Sequence, residues 1–114
     1  MKIELYFKSA RVGVLEQKEN KFSFVFDKAG YESVKHFPSV IAAVEVGGLV
    51  EGEGDSVPQF FITEFVTNIR QRQDICSDGE IEASDSDMLV LYKYANLKQN
   101  DIKFHIKRSL VWLI

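Results

Sequence analysis

This 114-residue chain has one cysteine, two histidines, two prolines and one tryptophan. A single cysteine, Cys76, excludes an internal disulfide and suits a reducing compartment, so the cytoplasm is the expected location. His36 and His105 stand far apart, and neither belongs to a metal-ligand spacing such as a pair one helical turn apart, so no metal site is expected. Basic charge is also short. The 14 lysines and arginines are outnumbered by 17 aspartates and glutamates, leaving a net charge of −3. General attraction to phosphate backbones is therefore missing, and direct nucleic-acid binding is not expected. The first residues, Met1-Lys2-Ile3-Glu4-Leu5, alternate charge with apolar side chains and lack the apolar core of a signal peptide. The run Leu110-Val111-Trp112-Leu113-Ile114 is far below the roughly 20 residues that span a bilayer, so no membrane segment is expected.

What is present is a periodic, half-apolar chain of the length of one domain, with 46% hydrophobic and 27% charged residues. Ile3, Leu5 and Phe7 alternate with polar residues and Tyr6, and the alternation resumes at Val12 and Val14 after a short polar turn. This pattern predicts an antiparallel hairpin. Gly13 inside its second strand marks a bulge or a close approach by another element. Phe22, Phe24 and Phe26 put three rings on one face of a third strand. A turn or short helix is expected over Ala29 to Lys35, stopping before Pro38. Ser39 to Val46 reads as a fourth strand, and Gly47 to Asp55 as an acidic loop.

Ser56 and Gln59 form a capping-box pattern that predicts a helix from Val57, with Phe61, Phe65 and Ile69 on its buried stripe. Asp74 to Asp87 reads as an acidic loop turning at Gly79. A second helix is expected after Ser84 or Ser86, with Met88, Leu91, Tyr92 and Ala95 facing inward. Strict alternation from Ile102 to Lys107 predicts a last strand. The fold class is α+β: one domain over residues 1–114, with an antiparallel sheet that could curl toward a barrel and two helices packed at one side.

The candidates for chemistry are weak. Cys76 lies between Asp74 and Asp78, whose charge disfavours a thiolate, and is read as structural. His105 falls on the polar phase of its strand and is read as a surface histidine. The glycines at 47, 48, 52 and 54 resemble a phosphate-cradling loop, but Glu45, Glu51, Glu53 and Asp55 would repel the phosphate. Asp85 and Asp87, with Asp78, Glu80 and Glu82, lack the pattern of a calcium loop and are read as a solvated acidic surface. No set of titratable residues converges on a catalytic site, so no enzyme activity and no cofactor are expected. Two features suit a protein partner. The apolar run around Trp112 belongs either in the core or against another chain, and the acidic loops favour a basic partner surface.

Several of these segments together resemble a known family. Arg11-Val12-Gly13 with Leu15, the strand Phe24-Val25-Phe26-Asp27, the helix start Pro58-Gln59-Phe60-Phe61, and Val90-Leu91 with Tyr94 are similar in order and spacing to the small N-terminal subdomain of HipA-type bacterial toxin kinases. That subdomain also occurs as the free-standing HipS protein beside a shortened kinase. The resemblance implies a non-enzymatic component of a toxin-antitoxin system, since the family's nucleotide loop, catalytic base and metal-binding residues lie in a larger domain. It implies binding to a HipA-like serine/threonine kinase, with a helix-turn-helix repressor as a further partner. The contact expected on that reading is a projecting aromatic near the kinase cleft: Trp112 first, Phe60 and Phe61 after it. The alternative is a stand-alone structural or adaptor domain of another family, homodimeric through its C-terminal strand.

Overall fold

A computed structural model describes residues 1–109, and Trp112 lies outside the described residues. Apolar alternation produces β1 (Lys2–Phe7) and β2 (Ala10–Lys18) as the expected hairpin. Leu5 faces Gly13 while Tyr6 faces Arg11, so Val12 is an extra residue that bulges β2. Of the two readings of Gly13 the close approach holds, because a Cβ there would lie 2.4 Å from Cζ of Phe24 on the neighbouring strand, while the bulge falls on Val12 beside it. That strand, β3 (Lys21–Phe26), places Phe24 wholly in the core with Phe22 and Phe26 half-buried beside it.

Asp27 then caps α1 (Lys28–Val34), its Oδ1 accepting the Gly30 N–H at 2.9 Å. The next segment departs from the sequence expectation. Ser39 to Val46 is not a strand; Pro38 opens α2 (Pro38–Glu45) as its first residue. Proline's fixed φ suits that position, and Val40 and Ala43, three residues apart, then point together into the core. The acidic stretch after it is not wholly loop, since β4 (Gly52–Gly54) pairs with β3.

The Phe-Phe helix begins at Gln59 instead of Val57, and Ser56 does not cap it. Proline biases the residue before it toward extended backbone, which sends the Val57 side chain into the core before the helix can start. From there α3 (Gln59–Phe61), a π-helical turn (Ile62–Val66) and α4 (Thr67–Arg70) follow without a break. The expected acidic loop contains α5 (Gln73–Gly79), which ends on Glu80 in the left-handed conformation. Ser86 caps α6 (Asp87–Tyr94) by accepting the Leu89 N–H at 3.2 Å. β5 (Phe104–Arg108) returns along β1.

The five strands form one antiparallel sheet in the order β4-β3-β2-β1-β5, open at both edges and not closed into a barrel. The fold is thus α+β, as expected, with more helices than the two that sequence periodicity singled out. Ile3, Leu5, Leu15, Phe24 and Ile106 of the sheet share one buried cluster with Phe61, Phe65, Ile69, Met88 and Leu91 of the helices. The other sheet face carries the alternate residues. There Arg11 donates to Glu4 Oε2 at 2.9 Å and to Asp27 Oδ2 at 2.8 Å, and Tyr6 donates to Glu4 Oε1 at 3.1 Å. Among the described residues, no helix is long and apolar enough to cross a membrane.

Candidate functional site

The π turn is dictated by two apolar doublets, Phe60-Phe61 and Phe65-Val66, placed five residues apart. An α-helix cannot align positions five apart on one face, whereas a π turn can, and all four side chains are buried. Packing fixes them: Phe61 meets Phe24 at a ring separation of 5.7 Å, and Phe60 meets Phe104 at 5.1 Å. The residues between the doublets are pushed outward. Thr63 and Glu64 consequently face a groove of about 490 Å³ between α2, the π turn and the start of β5.

The groove is apolar where it is deepest, with Phe7, Phe60, Phe104 and Ala43 in its walls. Two of its lining residues are unusually open to water for their type: Val46 is 86% exposed and Ile102 is 65% exposed. A second depression of about 590 Å³, more polar, lies by Phe65, Ile69, Arg72 and Gln99 and shares Glu64, Lys103 and Phe104 with the first. Glu64 and Lys103 therefore line both depressions. The concave walls desolvate the Glu64 carboxyl and push its pKa up, while the Lys103 charge pulls the other way. No hydrogen bond or ion pair within 4.0 Å holds the Glu64 carboxylate among the described residues. Desolvation likewise raises the Tyr94 phenol, opposed by Arg72.

The aromatics expected to project toward a partner are placed differently. Phe61 is completely buried and Phe60 is 3% exposed, so neither can act as a plug; the core needs their rings. Phe60 still contributes to the groove floor. His105 is also corrected. It does lie on the polar phase of β5, opposite Tyr6, but the Tyr6 ring stacks on it at 5.5 Å, leaving it 5% exposed. Its Nδ1 is 2.9 Å from the Lys103 carbonyl oxygen. Cys76 is half-buried and its thiol donates to the Ile69 carbonyl oxygen at 3.2 Å, a contact that ties α5 to α4.

The carboxylates near residue 85 serve the fold. Asp85 accepts from Lys93 Nζ at 2.7 Å and from the Glu82 N–H, which holds the carboxyl below its ordinary range, and Asp87 accepts from Arg70 at 3.0 Å. Among the described residues, no group of three or more histidine, cysteine, aspartate and glutamate side chains is placed to hold a metal ion.

Sequence reading missed Val46, Glu64, Ile102 and Lys103. Val46 was hidden by assigning its segment to a strand, and Ile102 by assigning it to the alternating phase of the last one. Helical periodicity already turns Glu64 toward water, and the five-residue spacing of the apolar doublets was the usable signal for the π turn. Comparison of the chain with models of protein families, with curated proteins and with solved structures finds no match.

Proposed function

We propose that this chain is a non-catalytic binding domain that docks on a HipA-like kinase through the groove beside the π turn and restrains it. It would act as the antitoxin or regulatory component of a toxin-antitoxin pair in the bacterial cytoplasm. The observation that carries the binding reading is the exposure of Val46 and Ile102 on the walls of an apolar groove. Isolated exposed apolar residues are ordinary, but two of them flanking a concave apolar floor form the kind of surface a protein partner covers. The kinase as partner rests on the motif resemblance, and much of that motif has a structural role in this chain. Arg11 bridges Glu4 and Asp27, Gly13 admits the Phe24 ring, and Phe60 and Phe61 build the core.

Pairing of two copies along β5 is the less favoured route. The Gln99 side chain occupies the open edge of that strand, accepting the Ile106 N–H at 2.9 Å and donating to the Ile106 carbonyl at 2.8 Å. A second strand would have to displace it. The experiment is co-expression with a shortened HipA-like kinase encoded beside this chain, read by co-elution and by relief of growth arrest. Co-elution with relief supports the proposal, and separate elution with undiminished toxicity overturns it.

A further inference from the structure

On the reading that the groove is the docking surface, one of its lips is the turn Asp101-Ile102-Lys103, which sets Ile102 and Lys103 in the groove lining. Ile102 is so open to water that burial of its own side chain does little to fix that lip. Two hydrogen bonds brace it instead. The Ile102 N–H donates to Asn100 Oδ1 at 3.1 Å, and the Lys103 carbonyl oxygen lies 2.9 Å from His105 Nδ1. A carbonyl oxygen can only accept, so Nδ1 carries the proton and donates it to this bond.

His105 is well placed to anchor such a brace. It is the only buried polar or charged side chain among the described residues, and with Tyr6 it lines a depression of about 680 Å³ on the outer side of the sheet. Ile102 borders both this depression and the groove, so the turn is the wall between them. The ring behind that wall is held in place. Tyr6 stacks on it with the planes 19° apart, and the Tyr6 hydroxyl is fixed on Glu4, which Arg11 ties to Asp27. A phenylalanine would serve the stacking as well as an imidazole does. What histidine adds is the N–H at Nδ1.

We infer that His105 is a positioning residue of the groove: its Nδ1–H, backed by the Tyr6 ring, sets the Lys103 carbonyl and with it the Ile102 side chain that a partner meets. A lip ordered before binding leaves less freedom to be lost when the partner arrives. Without that bond the turn keeps only its Asn100 contact, and Ile102 has to be ordered during docking.

Two variants of the full chain separate this role from support of the sheet. His105→Phe keeps a ring against Tyr6 and loses the donor, whereas His105→Asn loses the ring and keeps an N–H near the place of Nδ1. The measurements are melting temperature, methyl relaxation of Ile102 in the free chain, and affinity for the HipA-like kinase. His105→Phe is expected to melt no lower than His105→Asn, yet to let the Ile102 methyl groups move more freely and to bind the kinase up to about tenfold more weakly than the native chain, the scale of one hydrogen bond. His105→Asn should melt lower and keep both the Ile102 order and the affinity near native. Ile102 methyl groups as ordered in His105→Phe as in the native chain, or an equal loss of order in the two variants, would overturn the inference. The relaxation is read without the kinase, so a native chain that elutes apart from the kinase removes the docking partner and leaves the brace to be judged on Ile102.

Discussion

Gly30 shows how narrow the tolerances are at single positions. It opens α1 against the back of β2, where an added Cβ would sit 1.8 Å from the Arg11 carbonyl oxygen. Backbone is on both sides of that contact, so neither can yield cheaply. Gly30→Ala should therefore destabilise the chain by upwards of about 3 kcal/mol in urea denaturation, at or above the usual range for overpacking. Glu64 makes the opposite case. Its folded-state pKa lies above the unfolded value because the groove desolvates the carboxyl, so folding takes up a proton at this site. The stability it contributes is complete below the unfolded carboxyl range and is lost as pH rises through the folded value. Glu64→Gln is accordingly expected to raise the melting temperature at pH 7 and to leave it unchanged near pH 3. A melting temperature lowered at both pH values would show that the carboxylate is held by contacts instead of strained by desolvation.

At the scale of elements, the edges of the sheet decide what the domain can join. β4 is three residues long and bears Glu53, which makes it a poor template for a further strand. β5 is shielded by Gln99, whose amide mimics one rung of a neighbouring strand. Gln99→Ala should cost about 1–3 kcal/mol through the unpaired Ile106 groups and should promote concentration-dependent self-association in light scattering. Monomeric behaviour with unchanged stability would show that the shield is dispensable.

The same elements show what was legible in the sequence. The hairpin, the aromatic strand, α6 and the final strand were readable because their apolar periods are regular and their turns polar. Two segments were not. The β-branched run after Pro38 resembles a strand, and only tertiary packing of Val40 and Ala43 settles it as a helix. The acidic stretch around Cys76 reads as loop, yet Ile75 and Cys76 pack against the core as one face of α5. The groove was unreadable for a related reason: it lies between α2, whose type was misassigned, and a π turn whose five-residue spacing breaks the helical period. Trp112, the aromatic favoured from sequence, falls outside the described residues.

For the molecule as a whole, the core and the binding surface are separable. Phe60 and Phe61 belong to the core and cannot be truncated without destabilising the domain; Phe61→Ala would cost about 3–5 kcal/mol. Val46 is solvent-facing at the end of α2, so changing it should leave the core intact. A charge placed there would still oppose any apolar partner surface brought against the groove. The direct measurement is the elution profile, with light scattering, of a HipA-like kinase mixed with the native chain and with Val46→Asp. The native chain should co-elute with the kinase, while Val46→Asp, with an unchanged melting temperature, should elute alone. A native chain that elutes alone, or a Val46→Asp chain that co-elutes as well as the native one, would contradict docking through this groove.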